Sequence, residues 1–288
     1  MTTSSVHTLS LSSGETVFYR EAGSRSNPTI LLLHGFPTSS HQYRNLIPIL
    51  AANYHVLAPD LPGFGFTTLP SEYVYTFDNL AKTISTWLKE LPHRPSKYAI
   101  YVFDYGAPTG LRLALENPSA ITAIITQNGN AYTDGLGAAW APIQQYWATG
   151  AEKDRESIHG LVSFTTTKWQ YTDGVLDPSI IQPEAYTLDQ ALLDRPGNRE
   201  IQMDLFYDYR NNVAMYPQFQ EYFRKSQVPL LAVWGRNDKF FIPAGAEAYK
   251  RDLPKAEVHL LETGHFALES NLGDISRYML QFLEKQKL

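Results

Sequence analysis

Five stretches of this chain are apolar almost from end to end, are as long as one β-strand, and stop at a glycine or a polar cluster: "TILLLHG", "YHVLAPD", "KYAIYVFD", "AITAIITQN" and "VPLLAVWG". A strand with one wet face alternates apolar and polar residues. An unbroken apolar strand has no wet face, which marks a parallel sheet covered on both sides. The segments between them have helical spacing. "SSHQYRNLIPILA" puts Tyr43, Leu46, Ile47 and Leu50 on one face, with Ser39 or Ser40 as N-cap. "TFDNLAKTISTWLKEL" is amphipathic, and "APTGLRLALENP" follows the third run. Near the start, "VHTLSL" and "ETVFYR" flank "SSG" and predict a β-hairpin. A last strand, "AEVHLLE", lies between helices near "PAGAEAYKRDL" and "NLGDISRYMLQFLEKQ". The fold class is α/β, a mostly parallel central sheet flanked by helices.

The alternation fails once. From about Ala131 to about Gln218 the chain is rich in Trp, Tyr, Gly and Asp and holds helical pieces but few strand-length apolar runs. Three of the five tryptophans, Trp140, Trp147 and Trp169, fall there. The expected organisation is a core at 1–130 and 219–288, interrupted by a helical insertion at 131–218. A chain of 288 residues is long enough for both.

Composition narrows the partners. A net charge of −5 offers no footprint for nucleic acid or an anionic membrane, and the apolar runs are too short to span a bilayer. The absence of cysteine removes disulfides and thiolate metal sites. The first residues, "MTTSSVHTLSLSSGE", lack the cationic and apolar regions of a signal peptide, so a soluble cytoplasmic protein is expected. "DLPGFG" has two glycines but no third at dinucleotide spacing, and His34 and His41 are too loosely spaced for a metal pair. Neither a cofactor nor a metal is expected.

In open α/β sheets reactive groups gather at the carboxyl ends of the strands. Those ends read "HGFPTSS", "DLPGFG", "DYGAP", "GRNDKF" and "ETGHFALE". They deliver Asp104, Asp238 and His265 in that order, which is the chain order nucleophile, acid, base. Singly, each has a plainer explanation: Asp104 as a helix N-cap, Asp238 in an Asn-Asp turn, His265 as a loop histidine. All three at strand ends, in order and downstream of an HG-x-P loop, make coincidence a poor explanation.

With these residues the chain resembles the α/β-hydrolase superfamily over nearly its whole length. It looks like the branch of epoxide hydrolases and haloalkane dehalogenases, in which the nucleophile is Asp; the serine motif G-x-S-x-G is absent. Some relatives carry the acid after the preceding strand, but "QNGN", Gln127 to Asn130, holds no carboxylate there. The resemblance implies attack by Asp104 on a saturated carbon, an alkyl ester, and its hydrolysis by water activated by His265, which Asp238 orients. It also implies an oxyanion hole from the backbone N–H groups of Phe36 and Tyr105.

Epoxide opening would add two cap tyrosines. "LFYDYRNN" resembles the segment that places Tyr209, and "PIQQYWATG" the one that places Tyr146. Dehalogenation would instead use donors at the positions of Phe36 and Tyr105, which here carry no amide or indole. The expected activity is epoxide hydrolysis, with a haloalkane or haloacid dehalogenase and a non-catalytic ligand-binding protein as alternatives. The expected partner is a small apolar organic substrate in a pocket lined by Phe36, Trp140, Trp147, Trp169 and Phe266. Apolar surface on the insertion could face this ligand or a second copy, so a homodimer is left open.

Overall fold

The computed structural model describes residues 4–288. Its centre is one eight-stranded sheet in the order β1-β2-β4-β3-β5-β6-β7-β8. The strands are β1 (Ser5–Ser10), β2 (Thr16–Ala22), β3 (Thr29–Leu33), β4 (His55–Pro59), β5 (Tyr98–Phe103), β6 (Ile121–Gln127), β7 (Leu230–Gly235) and β8 (Glu257–Leu261). The β1–β2 hairpin and the β2–β4 pair are antiparallel; every other pair is parallel.

The unbroken apolar runs have the meaning their pattern suggests. Leu31, Leu33, Ile100 and Val102 enter one core, while Ile30, Leu32, Ala99, Tyr101 and Phe103 enter the other, on the opposite face of the sheet. Successive side chains of a strand point to opposite faces, so a strand with two buried faces must be apolar throughout.

Among the described residues eleven α-helices accompany the sheet: α1 (Ile47–Leu50), α2 (Phe77–Glu90), α3 (Gly106–Glu116), α4 (Ala141–Thr149), α5 (Glu152–Ser157), α6 (Phe164–Thr172), α7 (Pro183–Leu193), α8 (Asn198–Ser226), α9 (Pro243–Asp252), α10 (Ala267–Ser270) and α11 (Leu272–Lys285). The stretch from Ser39 to Ala51 is not one helix. A 3₁₀ turn at Ser40–Tyr43 is followed by the single turn α1, which carries Pro48. The apolar spacing there is right, but the proline's missing N–H favours a helix start at that point over continuation.

Between β6 and β7 all regular structure is helical, α4 to α8 with short 3₁₀ turns. The end expected near Gln218 falls inside α8, a 29-residue helix that passes through Pro217 and stops at Ser226. This insertion lies across the carboxyl end of the sheet. Trp140, Ile143, Met203 and Phe206 join the core on one face, and Tyr171, Ile181 and Ala185 join the other. Polar ties hold it down: Arg112 of α3 donates to Asn212 of α8 at 2.7 Å, and the N–H of Phe77, opening α2, donates to Asp208 at 2.8 Å. Among the described residues no helix is long and apolar enough to cross a membrane.

Candidate active site

The turn after β5 puts Asp104 at φ 48°, in the left-handed region that non-glycine residues rarely occupy. The chain can turn this sharply because Gly106 begins α3 against β3: a Cβ there would stand 2.0 Å from the carbonyl oxygen of Leu33. Asp104 does not act as a cap. Its Oδ1 turns to the loop after β3 and accepts the Phe36 N–H at 2.6 Å. Gly35 clears that approach, since a Cβ at this position would lie 2.3 Å from the Cβ of Asp104. His34 fixes the same loop with both ring nitrogens: Nδ1–H donates to Gly35 O at 3.0 Å and Nε2 accepts the Leu61 N–H at 2.9 Å. Burial keeps it neutral by lowering its pKa.

Asp104 is 5% exposed. Burial pushes its carboxyl up to about 6; the charge of His265 and the N–H groups of Phe36 and Tyr105 pull the other way. Oδ2 of Asp104 faces Nε2 of His265 across 4.0 Å. Behind the imidazole, Nδ1 donates to Asp238 Oδ2 at 2.7 Å. Asp238 is itself held by Asn128 Nδ2 at 2.8 Å and by the N–H of Phe240 at 2.7 Å. Asn128, directly after β6, thus donates to the carboxylate that follows β7. Burial opposes a charged His265, but the two carboxylates outweigh it and its pKa is raised.

Above Asp104 and His265 lies a cavity of about 340 Å³, walled by Phe36, Tyr105, Trp140, Ile143, Leu161, Gln170, Phe206 and Phe240. The pocket residues expected from sequence divide accordingly. Phe36 and Trp140 form its wall. Trp147, Trp169 and Phe266 stand one ring behind it: Trp147 stacks beside Tyr209 at 6.1 Å, Trp169 meets Phe240 at 5.9 Å, and Phe266 meets His265 at 5.3 Å. Trp169 is also partly exposed.

The two cap tyrosines part company. Tyr209 is fully buried beneath the wall, its ring against Trp140 at 4.5 Å and Tyr105 at 5.8 Å. Its hydroxyl is 3.4 Å from that of Tyr216, and both sense the charge of Asp104. Tyr146 does not reach the cavity. Its ring packs at a tilt against Tyr207 at 4.7 Å, and its hydroxyl senses Arg155, Asp204 and Glu152 on the outer side of the insertion. The stripe of α4 that faces inward is Trp140, Ile143 and Trp147, and Tyr146 lies about a quarter-turn around the helix from it. Ile143, Leu161, Gln170, Phe206 and Phe240 were not foreseen. A position three residues past Trp140 on one helix face could have flagged Ile143; the others depend on how the helices pack.

The site brings together a carboxylate on a strained turn after a central strand, the Phe36 amide on its Oδ1, the Tyr105 amide beside it, and a histidine–aspartate pair facing its Oδ2. The sequence matches the alpha/beta hydrolase fold family over residues 28–272, and the chain belongs to that family. It is 48% identical, over 279 residues and 95% of both chains, to an uncharacterized hydrolase of Saccharomyces cerevisiae. It is 42% identical to a haloalkane dehalogenase of Mycobacterium marinum, but over 113 residues only, 38% of this chain and 37% of that one. Among solved structures, the epoxide hydrolase CorEH superposes with a TM-score of 0.79 at 19% identity, covering 98% of this chain and 99% of that one; at this identity the likeness is one of fold.

Proposed function

We propose that this protein hydrolyses small apolar epoxides to vicinal diols through an alkyl ester on Asp104. The observation that carries the proposal is the division of labour at one carboxylate. Oδ1 is held by the N–H of Phe36, while Oδ2 is free toward the cavity and 4.0 Å from Nε2 of His265. With its pKa at about 6, Asp104 is mainly ionised at neutral pH and needs no base to attack. In the first half-reaction Oδ2 bonds to an epoxide carbon, the ring C–O bond breaks, and the ring oxygen takes a proton from Tyr209, whose hydroxyl is reached from behind Tyr105 and Trp140 as the substrate parts these wall rings. Burial, Tyr216 and the Asp104 charge push that hydroxyl well up; esterification removes the Asp104 charge just as the alkoxide forms.

In the second half-reaction His265 takes a proton from water and the hydroxide adds to the carbonyl carbon of Asp104. Oδ1 becomes the oxyanion, already held by the N–H of Phe36, with the Tyr105 N–H, which also meets this carboxylate, as the second donor. Collapse breaks the bond to Oδ2, which leaves in the diol. Asp238 holds the imidazole and stabilises its charged form. The helical insertion acts as a cap that keeps bulk water from the ester.

A second reading, hydrolysis of carbon–halogen bonds by the same triad, is favoured by the partial match to a haloalkane dehalogenase. The donors that would cradle a halide count against it. Trp140 Nε1 donates to Phe240 O at 3.1 Å, Trp147 Nε1 donates to Phe206 O at 2.6 Å, and Phe36 has no side-chain donor. A single turnover of styrene oxide in ¹⁸O-water with enzyme in excess tests the mechanism: the label should enter the Asp104 peptide and be missing from the first diol. Label in that diol would mean direct attack by water. Bromide release from 1-bromobutane, with no diol from any epoxide, would establish the second reading instead.

A further inference from the structure

The polar atoms of the cavity wall can be assigned one by one. Asp104 Oδ1 is taken by Phe36, His265 Nδ1 by Asp238, and Trp140 Nε1 by the carbonyl of Phe240. Two wall residues keep a buried polar atom without a partner, the hydroxyl of Tyr105 and Nε2 of Gln170. The ring of Tyr105 is enclosed by Phe77 at 4.8 Å and Tyr209 at 5.8 Å, and its hydroxyl senses Asp208 in the seam between α2 and α8. Gln170 is 4% exposed and sits on α6, a helix without any apolar reason to bury an amide at that place. Leaving a buried amide N–H unpaired is costly, and such a group in a native protein calls for an explanation.

The last turn of α6 is clamped over the catalytic histidine. Tyr171 stacks on Phe266 at 3.8 Å, Trp169 meets Phe240 at 5.9 Å, and just beyond the helix Gly174 O accepts Asn237 Nδ2 at 2.9 Å, one residue from Asp238. Gln170 lies between the two aromatic anchors, so the turn that carries its side chain is fixed over the cavity. Gln170 lines the same narrow cavity as Asp104 and His265, so a substrate seated against Asp104 has this amide among the walls it meets.

We propose that Gln170 is the second donor to the leaving oxygen, binding an epoxide through an Nε2–H···O bond in the place the family resemblance gave to Tyr146. This rests on the epoxide chemistry above. An amide can hold an oxygen but cannot protonate it. The ring C–O electrons pass to the oxygen, Asp104 Oδ2 closes the new C–O bond, the proton comes from Tyr209, and Gln170 keeps its hydrogen bond to the new hydroxyl. The site thus selects small three-membered cyclic ethers by their acceptor oxygen.

The test is rapid-quench kinetics with styrene oxide on the wild type, Gln170→Met and Gln170→Leu, following ester formation and ester hydrolysis separately. Methionine is close to isosteric, so the fold should survive. Loss of a hydrogen bond to a developing charge should slow ester formation about 10- to 100-fold, with hydrolysis of the formed ester unchanged. Phenylcyclopropane, which has the same shape without the oxygen, should inhibit wild type and Gln170→Met equally. Unchanged ester formation in both variants overturns the assignment of Gln170 while leaving the mechanism standing. So does an equal loss of phenylcyclopropane binding, which would make Gln170 a packing residue. A wild type that forms no ester with the epoxide defeats the mechanism itself.

Discussion

The two halves of the site are built by different means. The core holds Asp104, Asp238 and His265 at the ends of parallel strands whose spacing and register are fixed by the sheet. The insertion supplies Trp140, Ile143, Leu161, Gln170 and Phe206 from helices that meet by side-chain packing and a few side-chain hydrogen bonds, without a backbone ladder between them. A strand end has one place it can be, while a helix can rotate by a fraction of a turn and present a different residue. The consequence for function is a division of tasks. Under the proposed mechanism Asp104 serves both half-reactions, His265 and Asp238 serve the second, and insertion groups act on the substrate and so on the first.

That comparison would be tested most severely by replacing His265 with Gln. Asp104 keeps its carboxylate, its position on the turn and its contact with Phe36, so the attack on carbon should still occur. Water loses its base, and turnover should fall by roughly 10³-fold or more, as for the loss of a member of a catalytic triad. Intact-mass spectrometry should show a stable adduct, and peptide mapping should place it on Asp104. Fast turnover by this variant, or an adduct on another residue, would sink the assignment of roles within the core.

The tyrosines come next. General acid assistance contributes about 10²- to 10⁴-fold. Tyr209→Phe should slow ester formation by an amount in that range and leave ester hydrolysis alone. Tyr146→Phe should stay within about twofold of the wild type, because its hydroxyl faces Arg155 and Asp204 rather than the cavity. If Tyr146→Phe proved the slower variant, the helices of the insertion would have to rotate on substrate binding, and the contrast between fixed strands and adjustable helices would become a contrast in motion.

What could be read from the sequence follows the same divide. The strand runs, their order and the residues at their ends were legible because burial on two faces leaves an unmistakable apolar run and the chain order of nucleophile, acid and base is a topological property. Trp140 was visible as a large aromatic, but Trp147, Trp169 and Phe266 turned out to stand behind the wall. Tyr146 resembled a donor by motif, but it is buried against Tyr207, about a quarter-turn of α4 away from the stripe that meets the cavity. Gln170 gave no signal: a glutamine in a threonine-rich helix reads as solvated until the fold buries it. The end of α8 at Ser226 was equally hidden, since a proline inside a helix is the exception.

The half-reactions should also separate by pH. Ester formation needs Asp104 ionised, and its pKa is raised to about 6, first by burial. Its rate should be flat above that value and fall about tenfold per pH unit below it. Ester hydrolysis needs His265 neutral. In the free enzyme burial disfavours its charge, but Asp238 and Asp104 together raise its pKa. Esterification cancels the charge of Asp104, so the pKa of His265 must drop in the intermediate and free the base at a lower pH than in the resting enzyme. Quenched-flow from pH 5 to 8 should resolve two different profiles. A single shared profile would mean that one group limits both steps.

The smallest effect is expected at the seam between the two regions. Asp189 of α7 is fully buried; Oδ2 accepts the Tyr171 hydroxyl at 2.5 Å, and Oδ1 has no partner. Burial, with the nearby charge of Glu269, raises its pKa to about 8, against the pull of Tyr171, Thr38 and Arg44. An unfolded aspartate ionises near ~3.9. Between these values the folded chain holds a proton the unfolded chain has released, so stability declines as pH climbs from about 4 to about 8. Asp189→Asn keeps an acceptor for Tyr171 and cannot ionise. Its melting temperature should match the wild type near pH 4 and rise progressively above it as the pH climbs to about 8. A constant offset at every pH would mean that Asp189 does not titrate in this range. Tyr171 stacks on Phe266, which touches His265. If the insertion acts on the substrate alone, hydrolysis of the ester in Asp189→Asn should be unchanged; if it slows, the seam helps to aim the histidine, and the division between core and insertion is less clean than their architectures suggest.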